Sequence, residues 1–353
     1  MAPRAGQHAG QRTGRLDIDL AWRFFCGLCD DKNPPPSNQH GPAPHFGPPV
    51  NVDWPAARES NMFAIVGAAG KVGYSTSRAL RGAGLPVRAI LRDPAKAARL
   101  DEIGCEVVQA DLQDTTTLAQ AIKGADAVQI ILPVAPQAKD TIADMLRSIE
   151  SLAAALERAR SQQVLAISDY GAHVTADIGM PSMFRAFEER LCRVGGRKLF
   201  LRSAEHMEGW ARTIPQAIAS GTLRSFHDPV DKVLPMISAA DLGRIAADLL
   251  SRTAERKERE IVHAEGPCRY SPADVAAALS ELLGRTIEAQ AVPRSQRQSS
   301  LERLMSASAS ELLFKLYDAH RKGGLIEIDA SGGTVHHGTT RLVDALKPFV
   351  PQH

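Results

Sequence analysis

The sequence has few aromatic residues, few cysteines and almost no net charge. Aromatic side chains make up 5% of the 353 residues, which argues against a stacking surface for single-stranded nucleic acid. Five cysteines are too few for a disulfide framework, so we expect a reducing compartment. Lys and Arg number 42 against 40 Asp and Glu, so the chain lacks the excess positive charge of a nucleic-acid or membrane-surface binder. A small-molecule partner is therefore favoured.

Long apolar runs are missing as well. No stretch reaches the ~18–20 apolar residues of a membrane span. The best early run, residues 20–29, contains Arg23 and is followed by Asp30 and Asp31 instead of the small-residue cleavage site of a signal peptide. We therefore expect a cytoplasmic protein without a nucleic-acid or membrane partner, present as a monomer or a homodimer.

Prolines are concentrated at the beginning of the chain. Nine of the 22 prolines precede residue 62, and a segment of this kind cannot form a continuous helix or a central strand. We predict that residues 1–61 are a mostly disordered leader and that residues 62–353 are the folded part. Met62, directly before the first strand-like run, is an alternative start of the protein.

The leader holds a pattern close to that of a structural zinc site. Cys26 and Cys29 are spaced as C-x2-C, and His40 and His45 follow as H-x4-H. A zinc finger presents its histidines from a helix, and the prolines between these two histidines forbid one. We therefore expect no metal.

A glycine-rich turn follows the first apolar run. Residues 62–66 are apolar, residues 67–73 read GAAGKVG, and a helix-like stretch covers 74–81. A strand, a glycine turn and a helix in this order open a dinucleotide-binding βαβ unit, with the pyrophosphate at the helix N-terminus. The predicted cofactor contacts in this turn are Gly67, Ala69, Gly70, Lys71, Val72 and Gly73.

Strands and helices alternate beyond the turn. The predicted strands cover residues 86–91, 105–110, 127–132 and 164–167, and the predicted helices cover 95–103 and 115–122. Such alternation with short links predicts an α/β fold with a Rossmann-type, doubly wound parallel sheet. A nucleoside-triphosphate P-loop is excluded, because Ile65 and Val72 stand where its first Gly and its Ser or Thr belong. Farther along, the interleaved charges of residues 252–260 predict a solvated helix face.

The end of the second strand indicates which cofactor binds. An NAD site places an acid on the ribose 2′-hydroxyl, whereas an NADP site places an Arg there. Arg92 lies nineteen residues after Gly73, and Lys96 follows one helical turn later. We therefore predict NADP(H). Asp93 can take the acid's role if the strand ends one residue later, which leaves NAD(H) open.

The sequence resembles the NmrA-like family of atypical short-chain dehydrogenase/reductases over about residues 62–350. The resemblance rests on the glycine turn and on residues 87–94, 107–112, 124–128, 189–191, 199–202, 207–210, 237–243 and 338–340. It implies a Rossmann core over about residues 62–203 and a smaller C-terminal α/β part, about 204–353, that covers the substrate. It further implies cofactor contacts at Arg92, Asp111, Leu112, Leu132 and Pro133. Departures from the family at Arg185, Ser203 and Gly209 affect the substrate side most.

The Tyr-x-x-x-Lys pair of the related typical enzymes is missing. In that pair the Lys lowers the Tyr pKa, so that the phenol can protonate a developing alkoxide. None of the four tyrosines has a Lys four residues later. Ser168 and Tyr170 follow an apolar strand and lie where ligands bind to such a sheet. We predict Ser168 as a cofactor contact and Tyr170 as a candidate proton donor or substrate contact, with a structural role as its alternative.

Residues 204–210 are the predicted wall for the hydride acceptor. His206, Met207 and Trp210 are the predicted substrate contacts, by the family resemblance and because such side chains offer apolar surface with polar tips. The alternative is that Met207 and Trp210, three residues apart, belong to a helix core.

We therefore expect an NAD(P)H-dependent oxidoreductase that transfers a hydride to a quinone-like or conjugated carbonyl acceptor. A quinone needs little acid help, because its oxyanion is a stable phenolate. Two alternatives stay open: a non-catalytic NADP(H) redox sensor that acts through a protein partner, and a reductase of a specialised metabolite. A pocket wide enough for a ring favours an enzyme, and a closed or charged cleft favours a sensor.

Overall fold

The computed structural model describes residues 61–252, 257–323, 326–328 and 333–351. The predicted leader, apart from its last residue, and the candidate zinc ligands within it lie outside the described residues. None of the helices in these ranges is long and apolar enough to cross a membrane. The cytoplasmic location stays a prediction.

The first half of the described chain alternates strands and helices. The strands are β1 (Phe63–Val66), β2 (Val87–Leu91), β3 (Glu106–Gln109), β4 (Ala127–Ile131), β5 (Gln163–Asp169) and β6 (Arg197–Ser203). The helices are α1 (Lys71–Gly82), α2 (Ala98–Glu102), α3 (Thr115–Ile122), α4 (Thr141–Ala159) and α5 (Met180–Leu191). The helix predicted over 95–103 is divided, because Asp93 caps a separate 3-10 turn at Pro94–Lys96.

The second half begins with short elements and returns to the sheet. It contains β7 (Glu205–His206), a 3-10 segment (Met207–Thr213), α6 (Ile214–Ser220), β8 (Thr222–Ser225), β9 (Met236–Ile237), α7 (Ala239–Ser251) and β10 (Arg259–Glu265). It continues with α8 (Pro272–Leu283), β11 (Glu288–Ala291), α9 (Arg294–Glu302), α10 (Ala307–Lys322), β12 (Thr334–His337), α11 (Leu342–Leu346) and a 3-10 turn (Lys347–Phe349).

The helix predicted over residues 252–260 is wrong at Arg252 and at 257–260, and residues 253–256 lie outside the described residues. Helix α7 ends at Ser251, and Arg259 begins strand β10. The Arg259 guanidinium lies 5.6 Å from the centroid of the Phe200 ring on the neighbouring strand. Charged side chains at the amino end of a sheet strand are solvated much as they are on a helix face, so the charge pattern alone did not distinguish the two.

Eight strands form one parallel sheet in the order β12-β10-β6-β5-β4-β1-β2-β3. The strand order reverses between β1 and β4, and in such sheets a cofactor binds in the crevice at the carboxyl ends of the strands at this point. The predicted Rossmann-type fold is confirmed. Strands β10 and β12 come from beyond residue 203, so the sheet draws on both of the predicted parts.

Two apolar clusters cover the two faces of the sheet, and a third lies in the C-terminal part. Helices α3, α4, α5 and α10 pack on one face, and α1, α2 and α7 pack on the other. The third cluster joins α6, α8 and α11 to the 3-10 segment after β7. Burying a Leu or Ile completely contributes about 1.5–3 kcal/mol, so each cluster holds its layer firmly in place. The carboxyl edge of the sheet is thereby fixed beside the C-terminal part.

Candidate functional site

The glycine turn is anchored to the second strand and closed tightly. The N–H of Gly67 donates to the carbonyl of Ile90 at 3.0 Å, and the N–H of Gly70 donates to the carbonyl of Gly67 at 3.0 Å. Gly67 has φ +78°, a conformation that favours glycine. A Cβ on Gly73 would lie 2.5 Å from the Gly67 carbonyl oxygen, so helix α1 approaches the turn more closely than a side chain permits.

The N-terminus of α1 suits a phosphate. Gly70 is the N-cap, no described side chain caps this end, and the first turn has no acidic residue. The first N–H groups and the positive end of the helix dipole therefore face the turn. Val72 is buried beneath it in the sheet's apolar cluster. These residues fit a dinucleotide pyrophosphate, as the sequence predicts.

Lys71 connects the turn to the C-terminal part. Its ammonium lies 4.3 Å from the centroid of the Phe349 ring in the last 3-10 turn. Its charge also acts on His206, whose pKa is lowered to about 4 first by burial and then by Lys71. Lys71 therefore lies between the predicted phosphate site and the predicted acceptor wall.

The end of β2 carries the residues predicted for the ribose phosphate. Arg92 is exposed, and Lys96 is half-buried in the 3-10 turn that follows. The Asp93 carboxylate accepts a hydrogen bond from the Ala95 N–H at 3.1 Å, so it serves as the cap of that turn. Of the three residues that could reach the 2′ position, Asp93 therefore already has a structural role.

Arg99 is a neighbour of the glycine turn that the sequence did not indicate. Its guanidinium donates to the Ala69 carbonyl and lies 4.5 Å from the centroid of the Tyr74 ring. No motif marks Arg99, because it approaches the turn from helix α2 only once the sheet has formed. It adds a positive charge beside the predicted pyrophosphate site.

The cofactor contacts predicted after β3 and after β4 also lie at this edge of the sheet. Asp111 is exposed after β3, and its Oδ1 accepts from the Gln113 N–H at 2.9 Å. Leu112 packs against the apolar cluster of that face. Leu132 is buried and Pro133 half-buried directly after β4. Their contacts with a cofactor stay a prediction.

A cavity of about 100 Å³ lies at the carboxyl ends of β4, β5 and β6. Its apolar walls are Ile131, Leu132, Ile167, Phe184, Ala204, Pro235, Leu316 and Ile326. Its polar residues are Ser168, Asp169, Tyr170, Ser203, Glu205, His206, Arg212 and His320. The cavity thus brings together four predicted site residues, Leu132, Ser168, Tyr170 and His206.

The Ser168 hydroxyl is directed toward helix α5. It donates to Oε1 of Glu188 at 2.6 Å. The same carboxylate accepts two hydrogen bonds from the buried guanidinium of Arg202, at 2.9 and 2.8 Å. This bidentate pair holds the ends of β5 and β6 against α5 beneath the cavity.

The Tyr170 hydroxyl is held by a carboxylate. It donates to Glu265 at the end of β10, and Glu265 also accepts from Arg269. Burial, followed by Glu265, raises the pKa of Tyr170 above its usual range. A phenol in this position gives up its proton reluctantly, which favours the structural alternative stated for Tyr170.

The predicted acceptor wall is divided by the fold. His206 lines the cavity, whereas Met207 and Trp210 are buried in the third apolar cluster. Among the described residues that line the cavity, neither Met207 nor Trp210 occurs, and Gly209 lies there between them. Their three-residue spacing therefore reflects packing in the C-terminal part.

Several ionisable groups of the cavity wall, three of which interact with other buried groups, were not singled out from the sequence. Asp169, Glu205 and His320 come from three separate segments. Glu205 Oε2 lies 2.9 Å from Nε2 of His227, and the His227 and His320 ring centroids are 5.0 Å apart. Burial would raise the Glu205 pKa, but His227 and His320 lower it below its usual value. Burial, followed by the charge of His227, lowers the pKa of His320 to about 3.

Comparisons with known proteins agree with a dinucleotide site at the glycine turn. A family model described as NAD(P)H-binding matches residues 67–191. The chain is similar to the NAD(P)H azoreductase of Xenophilus azovorans, with 25% identity over 258 residues, which cover 72% of this chain and 86% of the relative. It is also similar to quinone oxidoreductase 2 of Escherichia coli strain K12, with 23% identity over 289 residues, covering 81% and 97% respectively.

Solved structures share the fold and extend over most of the chain. The E. coli NADPH-dependent quinone oxidoreductase, complexed with NADPH, has a TM-score of 0.67 and 22% identity, with 81% of this chain and 99% of that chain covered. The Citrobacter sp. triphenylmethane reductase, complexed with NADP(H), has a TM-score of 0.66 and 18% identity, with 82% and 100% covered. The predicted NAD(P)(H) cofactor is confirmed, and these similarities agree with the family resemblance found in the sequence. Residues 67–191 of this chain therefore match an NAD(P)H-binding family model, and the chain shares the fold of these solved reductases.

Proposed function

We propose that this protein is an NADPH-dependent oxidoreductase that reduces a quinone-like or other conjugated acceptor. The observation that carries the proposal is the position of the cavity at the carboxyl ends of β4, β5 and β6. Strand β4 pairs with β1, which leads into the glycine turn, and the strand order reverses between these two strands. NADPH, when bound, supplies the hydride. The two relatives reported above are named for azo and quinone reduction, which agrees with this class of acceptor.

The cofactor is NADP(H), with Arg92 and Lys96 on its 2′-phosphate. Arg92 is exposed at the end of β2, where such a phosphate lies in this fold. The acid that an NAD site would need at this point, Asp93, caps the turn after β2. Solved structures of this fold with bound NADPH and NADP(H) agree with this choice.

The cavity's own residues hold an acceptor ring and exclude water. Phe184, Leu316 and Ile131 supply apolar surface. His206 is neutral near pH 7, because burial and Lys71 lower its pKa to about 4. It can donate one hydrogen bond without adding a charge. Positioning of this kind favours hydride transfer to an acceptor whose reduced form is a stabilised phenolate.

The cavity also bears on the sensor alternative. A redox sensor requires cofactor binding but no space for an acceptor. Apolar atoms form most of the exposed wall of the cavity, although half of its side chains are polar, so the space suits an acceptor ring and supports the enzyme. The sensor remains a defined outcome of the experiment that follows.

The test is NADPH and NADH oxidation by the full chain with a panel of benzoquinones, naphthoquinones, enones and azo dyes. A titration of oxidised and reduced cofactor is run beside it. We expect turnover with quinones and a preference for NADPH. Tight NADPH binding without turnover of any acceptor would overturn the proposal and favour the sensor.

A further inference from the structure

Asp169, the last residue of β5, faces the cavity. Its half-buried carboxylate lines the cavity, between Ser168 and Tyr170 in sequence. Ser168 donates to Glu188 and Tyr170 donates to Glu265, so both hydroxyls are held by other buried carboxylates. Asp169 accepts a backbone hydrogen bond from the Gly171 N–H at 3.0 Å. Of these three side chains, Asp169 is therefore the one available to a molecule in the cavity.

The surroundings of Asp169 raise its pKa toward neutral pH. Burial is the main cause that raises its pKa to about 6, and the carboxylates of Glu188 on α5 and Glu205 on β7 raise it further. The Gly171 hydrogen bond and Arg202 on β6 oppose the shift. The other titratable or charged groups on the cavity wall are Tyr170, His206, Arg212 and His320. The carboxyl group can thus carry and release a proton close to neutral pH.

We propose that Asp169 is the catalytic acid that protonates the acceptor oxygen during reduction, an inference that rests on the proposed function. The acceptor gains a hydride with its electron pair from the reduced cofactor, which becomes NADP⁺. The O–H bond of Asp169 breaks, its proton forms the new O–H bond of the acceptor, and the electron pair of the broken bond stays on the carboxylate. A proton from solvent then restores Asp169. The net reaction takes one NADPH and one proton for each quinone reduced to hydroquinone.

The proposal separates two classes of acceptor. A quinone or an azo compound needs a hydride and a proton. A triarylmethyl cation needs only the hydride, because the product is a neutral hydrocarbon centre. Loss of the acid should therefore slow the reduction of quinones and azo compounds and leave the reduction of the cation unchanged.

The central experiment compares Asp169→Asn with wild type on both classes, with NADPH binding measured in parallel. We expect kcat for quinones to fall by about 10²-fold, the lower end of the usual contribution of a general acid, because the quinone oxyanion is a stabilised phenolate. The rate for the cation and the NADPH affinity should not change. Asp177→Asn is the matched control. Asp177 also follows strand β5, but its side chain is exposed and forms an ion pair with Lys315. The control should resemble wild type throughout.

Two further measurements apply even if the cation is a poor acceptor. Wild-type kcat/KM for quinones should decline as pH rises through about 6, because the acid form of Asp169 is lost, and the profile of the variant should be flat there. Hydroquinone should bind wild type more tightly above this pH, because the Asp169 carboxylate then accepts a hydrogen bond from its hydroxyl. Hydroquinone binding by the variant should not depend on pH in this range.

The outcomes distinguish the two proposals. Equal quinone rates in Asp169→Asn and wild type, or equal loss with both acceptor classes, would overturn the role of Asp169 and leave the reductase intact. A pH dependence that persists in the variant would do the same. A wild-type protein that binds NADPH but reduces neither class would overturn the proposed function itself.

Discussion

A Cβ atom on Gly73 would lie 2.5 Å from the carbonyl oxygen of Gly67 and 2.8 Å from the Cα of Ala68. Both neighbours are backbone atoms of the glycine turn, so a side chain at position 73 cannot avoid them by rotating. The turn would have to move away from the start of α1, where the N–H groups are arranged for a phosphate.

Gly73→Ala should therefore weaken NADPH binding by roughly tenfold or more, equivalent to about 1.4 kcal/mol. A cofactor titration with the full chain measures this. Gly82→Ala, at the other end of the same helix, is the control, because a Cβ there meets nothing within 4 Å. Wild-type affinity in Gly73→Ala would mean that the pyrophosphate lies elsewhere.

Arg92→Ala should reduce affinity for NADPH more than for NADH. The expected difference is about 1–3 kcal/mol, the range for a charge-assisted hydrogen bond. Parallel titrations with the two cofactors give the difference directly. Arg78→Ala, which removes an exposed Arg from helix α1, should change both affinities little. An equal loss for the two cofactors in Arg92→Ala would show that the 2′-phosphate is bound by other residues.

Gly209→Leu should narrow the acceptor cavity. Gly209 lines the cavity, and a Cβ there meets nothing within 4 Å, so the added side chain fills open space without moving the backbone. KM for naphthoquinones should rise more than KM for smaller benzoquinones, and NADPH affinity should not change. Gly195→Leu, an exposed position with similar space, is the control for general effects. An unchanged KM for every quinone would place the acceptor outside this cavity.

His320 should make the folded state less stable in acid. Burial and His227 lower its pKa from 6.5 to about 3, whereas the unfolded chain takes up the proton near 6.5. Between these values the unfolded state binds more protons, so stability falls as pH decreases, by at most about 1.4 kcal/mol per pH unit for this group. His206, with its pKa lowered to about 4, contributes in the same direction.

Urea unfolding at several pH values between 4 and 7 tests this expectation. His320→Gln should reduce the slope of the unfolding free energy against pH. Tyr317→Phe is the control and should keep the wild-type slope. It changes a buried ring that contacts His227 and does not titrate in this pH range. Identical slopes in wild type and His320→Gln would show that His320 does not stay neutral in the folded protein.

The sequence was most informative where local geometry determines residue type. The turn between Gly67 and Gly73 requires glycine for its φ angle and its close approach, so β1, the turn and α1 could be predicted together. The alternating strands and helices up to β4 could also be predicted locally, because short buried strands and amphipathic helices differ in their patterns of apolar residues. The position of Arg92 after β2 belongs to the same local unit.

The remaining features depend on contacts between distant segments. Strand β10 was missed because its first residues are charged, and its pairing with β6 is decided by the sheet. Glu205, His227 and His320 meet from three segments without a shared motif. Tyr170 could be placed at the strand end, but its bond to Glu265 on β10 could not be predicted before that strand was known.

The most direct test of the account is a single turnover of the NADPH-loaded protein mixed with a quinone. NADPH deuterated on one or the other face of the nicotinamide ring is used, and the loss of reduced nicotinamide absorbance is followed. A ring that faces the cavity in one fixed orientation gives up its hydride from one face, so we predict slower oxidation with one of the two labels and not with the other. Oxidation at equal rates with both labels, or no oxidation of the bound NADPH, would contradict hydride transfer within this cavity.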